Sequence, residues 1–130
     1  MRSCVIFMLI FLTFWSVTPY CQAGTVEQTE REISHLLSFI EGSGCSFNRN
    51  GTLYTSPKAR QHIQKKYDYI KKKVHSAEDF IKYAATKSSI TGIRYQVRCG
   101  NASMKSSDWL LEELSIFRTT ESHQSPPPSN

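Results

Sequence analysis

The first 23 residues constrain this chain most, because they decide how much of it, and which of its cysteines, remain to fold. After a short start with one positive charge, Arg2, the segment Val5–Val17 runs for 13 mostly apolar positions without a charge. Cys21 and Ala23 then place small residues at the −3 and −1 positions of a cut after Ala23. This layout is typical of a secretory signal peptide. We therefore expect a cleaved signal peptide over 1–23 and an exported protein.

The same residues leave one alternative to a cleaved signal peptide open and argue against another. An uncleaved membrane anchor is the open alternative, although the apolar run is shorter than the about 20 residues that span a bilayer. A lipoprotein signal is excluded, because Pro19 and Tyr20, which directly precede Cys21, are not small. After cleavage we expect no transmembrane span, and export would place the rest of the chain in an oxidising compartment.

The cysteines that remain after cleavage predict one disulfide. Cys4 and Cys21 leave with the signal peptide, so Cys45 and Cys99 are the pair in the remaining 107 residues. A cysteine pair in an exported chain is typical of a disulfide, and closing this loop stabilises the fold by about 4 kcal/mol. A two-thiol metal site is the alternative, but no CxxC spacing or histidine cluster supports it, and a catalytic thiol has less support still. We expect no metal and no cofactor.

Positive charge is concentrated in one segment of the chain. The expected mature chain, 24–130, has a net charge of +4, whereas Lys58–Lys73 alone carries a local charge of +6. Concentrated charge favours an anionic partner, such as a component of the cell envelope or an acidic protein. A solvated helix face is the alternative. Nucleic acid is not expected, because the protein is predicted to be exported and Tyr67, between the lysines, belongs to an apolar stripe.

Apolar residues that recur three and four positions apart predict four helices. Each follows or begins at a serine or threonine that can cap its first turn. The expected helices are Val26–Glu41 after Thr25, one from Ser56 to about Val74, one from Ser76 to about Lys87, and one that follows Ser107. We expect residues 24–118 to form one domain and residues 119–130, with three prolines, to form a disordered tail.

Two segments predict a small antiparallel sheet. Asn50-Gly51 supplies the two positive φ angles of a tight turn, so residues 45–49 and 52–54 form a hairpin. Residues 94–99 alternate between polar and apolar positions, as in a half-buried strand. If this strand pairs beside residues 45–49, the two remaining cysteines come within bonding distance. The expected fold is α+β, with a three-stranded antiparallel sheet, about four helices and one disulfide.

Four strings in this chain are shared with a known group of proteins. In order, they are Phe47-x-Arg49-Asn50-Gly51, Ala59-x-x-His62-Ile63-x-x-Lys66, Ala77-Glu78-x-Phe80-Ile81 and Ser88-Ser89-Ile90-Thr91-Gly92-x-x-Tyr95-x-Val97. With these strings the region 33–109 resembles the YfeK-like small secreted proteins of bacteria, a family of unknown function. The resemblance implies a bacterial periplasmic protein. It transfers no activity and no catalytic residue, and the disulfide is predicted from this chain alone.

Three basic residues in these strings are candidates for binding. Arg49, beside the hairpin turn, could clamp an anion, because a guanidinium matches carboxylate and phosphate geometry, or it could pack over the sheet edge. His62 and Lys66 lie one helical turn apart and so share a helix edge. They could line a ligand pocket, or His62 could bond a backbone carbonyl while the stem of Lys66 packs along the core. A lone histidine is a poor metal site.

Ser88 and Ser89 follow a predicted helix and precede Gly92. Their hydroxyls could satisfy free backbone groups at the helix end and in the turn. Alternatively, one of them could act as a nucleophile with Lys66 as its base. The chain has neither a Gly-x-Ser-x-Gly elbow nor a Ser-x-x-Lys pair, so we assign no catalytic residue.

The leading hypothesis is a non-enzymatic periplasmic binding module. It would present the basic helix Lys58–Lys73, with Arg49 nearby, to lipid headgroups, a cell-wall polymer or an acidic protein face. Lys58, Lys65 and Lys72 point away from the apolar stripe of this helix. The alternative is a small hydrolase of envelope polymers that uses His62, Lys66 and a serine. A concave pocket in which these residues converge favours the enzyme, and a flat or convex basic surface favours the binding module.

Overall fold

The structure is a computed structural model, and it describes residues 24–124. The predicted signal peptide and residues 125–130 of the predicted tail lie outside the described residues. The helices and strands are α1 (Val26–Gly42), β1 (Ser46–Arg49), β2 (Thr52–Tyr54), α2 (Ser56–Ile70), α3 (Ala77–Ala84), β3 (Gln96–Cys99), β4 (Ala102–Lys105) and α4 (Ser106–Gln124).

The sheet has four strands in the order β2-β1-β3-β4, and every neighbouring pair is antiparallel. The α+β class and the four helices agree with the sequence, but the prediction of three strands was wrong. A second two-residue turn, Gly100-Asn101, leads from β3 into β4. Gly100 has a φ of +59° at the first central position of this turn, where a tight hairpin turn prefers glycine. Of β4, only Met104 is partly buried, so the strand lacks the alternation that would have revealed it.

The helices differ from their predicted bounds mainly at their ends. Helix α2 stops at Ile70, and Lys71–Lys73 continue as a 3₁₀ turn. Ser56 does not cap α2; its hydroxyl donates to the carbonyl of Glu41, 3.1 Å away, and ties α2 to α1. Helix α4 continues to Gln124, past the domain boundary predicted at residue 118. None of the helices in 24–124 is long and apolar enough to cross a bilayer.

The core lies between the helices and one face of the sheet. Alternation along β3 turns Val97 into this core, while Gln96 and Arg98 on the opposite face are exposed. The apolar stripes of the helices cover the inner face, with Leu36, Phe80 and Leu110 fully buried.

The predicted disulfide between Cys45 and Cys99 is confirmed. Strands β1 and β3 are antiparallel, with Ser46 opposite Arg98. Cys45, one residue before Ser46, therefore lies opposite Cys99, one residue after Arg98. Their α-carbons are 4.6 Å apart, within the range that a disulfide requires. The bond therefore joins the two central strands of the sheet.

Candidate functional site

The β1–β2 hairpin sets the position of Arg49. Positive φ angles of 54° and 83° at residues 50–51 close a two-residue turn, which pairs Arg49 with Thr52. Arg49 and Tyr54 are then diagonal neighbours on one face of the hairpin. The guanidinium lies 4.5 Å from the centroid of the Tyr54 ring, and its Nη2 donates to the Tyr54 hydroxyl at 3.2 Å. The tyrosine thus holds the cation at the end of the strand.

Helix α2 brings His62 and Lys66 to the same place from the other side. Both are half-buried, and both reach the hydroxyl of Tyr95. His62 Nε2 lies 3.2 Å from this oxygen, and Lys66 Nζ donates to it at 3.5 Å. Lys66 Nζ also donates to the carbonyl of Lys87 at 2.7 Å. The side chain of Lys66 therefore bridges α2 to the segment that precedes β3.

Tyr95 also lines the candidate site, although the sequence analysis did not select it as a binding candidate. Alternation along residues 94–99 assigned it to the core, and it is indeed 5% exposed. Its backbone is fixed on both sides, because its N–H donates to Thr86 O at 2.9 Å and its carbonyl accepts from Ser106 N at 3.0 Å. A buried tyrosine hydroxyl needs a hydrogen-bond partner, and this requirement was the available signal that polar residues lie nearby.

A tight turn over residues 88–92 forms another side of the site. The hydroxyl of Ser88 accepts from the N–H groups of Ile90 and Thr91, each at 3.3 Å, and the N–H of Gly92 donates to Ser88 O at 3.0 Å. The Thr91 hydroxyl then donates to Asn50 Oδ1 at 2.8 Å and connects this turn to the hairpin. Ser88 thus organises the turn from within, and Ser89 is exposed beside it.

These elements enclose a pocket of about 270 Å³. Sequence-predicted candidates from three separate elements meet there, although they are far apart in the chain. The pocket is lined by Arg49, Asn50, His62, Lys66, Ser88, Ser89, Ile90 and Tyr95. No carboxylate is among these residues, so the wall supplies donors and positive charge.

The three outer lysines do not line this pocket. Lys58, Lys65 and Lys72 are exposed, as their helical spacing predicts. Lys65 borders an adjoining groove together with Tyr69, and Lys58 borders a small apolar cavity beside Arg49. Lys72 borders neither. The three lysines proposed for the basic face therefore have different neighbours and do not line one common site.

Burial and neighbouring cations shift the ionisation of the pocket residues. Burial, followed by the charges of Arg49, Lys66 and Lys65, lowers the pKa of His62 to about 4. Burial and the charge of Arg49 likewise lower the pKa of Lys66, and burial raises the pKa of Tyr95. His62 is therefore neutral at pH 7. Its Nε2 can accept the Tyr95 O–H, while the Tyr95 oxygen accepts from Lys66.

The cations of the pocket have no anionic partner in the part of the chain that the structure describes. The ion pairs there involve Arg31, His35, Arg60 and Arg118, and none involves Arg49 or Lys66. Over the same residues there is no group of three or more His, Cys, Asp or Glu side chains placed to hold a metal ion.

The arrangement does not form the serine dyad that the hydrolase interpretation requires. Lys66 donates to a carbonyl and to Tyr95, and His62 contacts Tyr95; neither has a hydrogen bond to a serine among residues 24–124. Ser88 uses its oxygen as an acceptor within the turn. What the pocket can do chemically is bind a group that is negatively charged and rich in acceptors.

A model of a known protein family matches residues 27–118, which is more than half of the chain. The matched family is described as a family of unknown function, DUF5329. The match does not confirm the resemblance to the YfeK-like proteins. Neither the curated proteins nor the solved structures gave a match. The matched residues include every element that forms the pocket. Because the match covers more than half of the chain, the chain belongs to the DUF5329 family of unknown function.

Proposed function

We propose that this protein is a non-enzymatic binding module that holds an anionic group in the pocket formed by Arg49, His62 and Lys66. The observation that carries this proposal is the convergence of these side chains in one concave site whose described wall contains no carboxylate. Unpaired, partly buried cations are costly unless an opposite charge compensates them. An anionic ligand would supply that charge, so its binding would relieve the cost.

The donors in the pocket suit an anion with several acceptor oxygens. Lys66 has three N–H donors and uses two of them, on Lys87 and Tyr95. Arg49 uses one N–H on Tyr54, which leaves further donors of its planar fork free. Guanidinium donors of this kind match the geometry of phosphate and carboxylate groups. The ligand class is therefore an anionic component of the cell envelope or an acidic protein group.

The proposed binding surface differs from the one predicted from the sequence. A basic outer face of α2 with Lys58, Lys65 and Lys72 was expected to engage the partner. The pocket on the inner edge of α2 has the better geometry, because its donors are fixed by hydrogen bonds and partly shielded from water. The outer lysines then contribute long-range attraction, which steers an anion toward the site.

The hydrolase alternative has less support. A nucleophile needs a neighbouring base within hydrogen-bond reach, and neither candidate serine has such a contact with His62 or Lys66. Tyr95 is not activated either, because burial raises its pKa. Export to a bacterial periplasm belongs to the same proposal. The predicted signal peptide supports it, and the disulfide is compatible with an oxidising compartment.

The test is a titration of the purified protein with sulfate, an anion whose charge is constant in the relevant pH range. We expect sulfate to shift the NMR signals of the His62 ring and to raise its pKa above about 4, because a nearby anion favours the protonated imidazole. Binding should therefore tighten as the pH falls from 7 toward 4. Arg49→Met should weaken it at least tenfold, which corresponds to the loss of one charged hydrogen bond.

A matched control separates local binding from general charge. Lys72→Met removes one positive charge from the exposed outer side of α2 and leaves the pocket unchanged, so it should bind sulfate almost as the natural protein does. Equal losses in Lys72→Met and Arg49→Met, or no response of the His62 signals to sulfate, would show that the pocket is not an anion site.

A further inference from the structure

Two large apolar side chains stand fully in solvent next to the cationic pocket. Ile90, in the turn over residues 88–92, is 95% exposed, and Tyr69, on α2, is 92% exposed. These are the most exposed of the large hydrophobic side chains that the structure describes. Single exposed hydrophobic residues are ordinary, but two beside one functional pocket call for an explanation.

The two side chains belong to one continuous surface. Ile90 lines the cationic pocket itself, and Tyr69 lines the adjoining groove together with Lys65. The two concavities share His62, Lys66 and Ser89, so they meet along the same edge of α2. Positive charge therefore lies between two apolar side chains.

Ile90 is held in its exposed position by the turn. Its own N–H donates to the Ser88 hydroxyl at 3.3 Å, and Ser88 N donates to Ile93 O at 3.0 Å on the far side of the turn. The bond from Gly92 N to Ser88 O closes the turn between them. A side chain presented on a fixed backbone loses little conformational freedom when a partner covers it, which favours binding.

We infer that the partner is the surface of a bilayer that contains anionic phospholipids. The phosphate of a headgroup would occupy the Arg49–His62–Lys66 pocket, while Ile90 and Tyr69 enter the boundary between headgroups and acyl chains. This inference rests on the proposed anion-binding function and names its ligand. A bilayer fits better than an acidic protein face, because it offers a dense layer of negative charge directly above an apolar layer.

Each part of the surface matches one layer of that partner. Tyrosine rings favour the membrane–water boundary, where the ring is buried and the hydroxyl stays hydrated. Basic residues near a membrane surface attract anionic lipids, and Lys65 lies beside Tyr69 in position to add to the pocket cations. Neither contribution suffices alone, since lasting attachment to a membrane usually takes two signals. Here the two signals are the charge and the inserted side chains.

The test uses vesicle flotation with the purified protein. Vesicles of phosphatidylcholine alone are compared with vesicles of equal parts phosphatidylcholine and phosphatidylglycerol. We expect binding to the mixed vesicles and little to the neutral ones. Ile90→Ser should weaken binding to the mixed vesicles by about tenfold or more, which is the effect of keeping one isoleucine side chain in water. Tyr69→Ser should weaken vesicle binding as well, but its response to sulfate should equal that of the natural protein, because Tyr69 lies in the adjoining groove and does not line the pocket.

Ile116→Ser is the matched control, because Ile116 is 55% exposed on α4 and does not line the pocket. It should bind the mixed vesicles normally. Equal binding by Ile90→Ser and the natural protein would overturn the inference. Binding of sulfate without binding of either vesicle would also overturn it and would point to a soluble anion or an acidic protein. Failure to bind sulfate as well would mean that the proposed function itself is wrong.

Discussion

Two clusters of charged side chains in this domain are built in opposite ways. In the first, Arg118 on α4 donates to both carboxylate oxygens of Glu32, at 2.7 and 2.8 Å, and also to Glu78 on α3. Glu32 is 2% exposed, so its charge is buried and fully paired. In the second, Arg49 and Lys66 share a pocket with no carboxylate among the described residues.

The pKa shifts in the two clusters show how pairing affects the charged forms of their side chains. In the paired cluster, hydrogen bonds to Arg118 lower the pKa of Glu78, and hydrogen bonds to Glu32 and Glu78 raise the pKa of Arg118. Both shifts favour the charged forms. In the pocket, burial and like charge lower the pKa of His62 and of Lys66, which disfavours their charged forms. The charges of the first cluster are paired within the fold, whereas the cations of the second have no carboxylate beside them among the described residues.

The unpaired cluster must therefore be held together by something other than its own charges. The disulfide joins β1, which carries Arg49, to β3, which directly follows Tyr95. The paired cluster needs no such covalent link, because Arg118 itself connects α1, α3 and α4. Removing either support should show which one stabilises the domain more.

The largest effect is expected from the disulfide. Replacing both Cys45 and Cys99 by alanine frees a loop with a sequence separation of 54 in the unfolded chain. We expect the free energy of unfolding to fall by about 4 kcal/mol. Urea unfolding of the double variant and of the oxidised natural protein measures this difference. A loss below about 1 kcal/mol would indicate that the sheet does not depend on the bond.

The next effect is expected in the paired cluster. Arg118→Met leaves the buried Glu32 without its cation, which should lower the free energy of unfolding by about 3 kcal/mol at neutral pH. Arg31→Met is the matched control. Arg31 is exposed, so its ion pair with Glu121, at 3.9 Å, should contribute less than about 1 kcal/mol. Urea unfolding of both variants makes the comparison. Similar losses in the two would mean that Arg118 forms only a surface ion pair.

Much of this architecture could be predicted from local patterns. Helical periodicity found the four apolar stripes, Asn50-Gly51 specified the first hairpin, and alternation found β3. Strand β4 was missed because it is an exposed edge strand with one partly buried residue, Met104, so packing gave it no pattern. The glycine in Gly100-Asn101 was the remaining signal, and it is a weak one without alternation on both sides.

The candidate site was predictable only as a set of residues. The shared strings named Arg49, His62 and Lys66, but no local pattern states that a hairpin end, a helix edge and a turn meet around Tyr95. That meeting depends on the pairing of β1 with β3 and on the packing of α2. Likewise, the predicted basic face came from helical spacing, which separates exposed from buried positions but does not show which exposed cations lack partners.

A smaller effect on stability should show that the pocket disfavours a positive charge on His62. The pKa of His62 is about 4 in the folded protein, below its ordinary value of 6.5. Between these values the unfolded chain binds more protons, so the natural protein should lose stability as the pH falls from 6.5 to 4. His62→Gln cannot be protonated and should lose less over this interval. Urea unfolding at several pH values measures both slopes.

His75→Gln is the control for that measurement, because His75 is exposed and lies outside the pocket. Its stability should follow the natural protein at every pH. If His62→Gln also follows the natural protein between pH 6.5 and 4, burial and the charge of Arg49 do not disfavour protonation of His62. The contrast between the paired and unpaired clusters would then lose its electrostatic basis.

The smallest effect on stability is expected on the outer side of α2. Changing Lys58, Lys65 and Lys72 to glutamate should alter the free energy of unfolding by no more than about 0.5 kcal/mol for each residue, because all three are exposed. The net charge expected for residues 24–130 changes from +4 to −2. Binding to mixed vesicles at low salt should therefore fall steeply, since long-range attraction is reversed.

Salt distinguishes this long-range effect from binding in the pocket. At about 0.15 M salt the screening length is about 8 Å, so the lysines farthest from the bound anion should matter less. The loss caused by Lys72→Glu alone should nearly disappear there. The loss caused by Arg49→Met should persist, because the proposed site places the guanidinium in direct contact with the anion. Vesicle flotation at both salt concentrations measures these losses. If the losses of vesicle binding in the two variants depend equally on salt, the basic face and the pocket attract the membrane as one diffuse charge. The unpaired cluster would then not be a distinct anion-binding site.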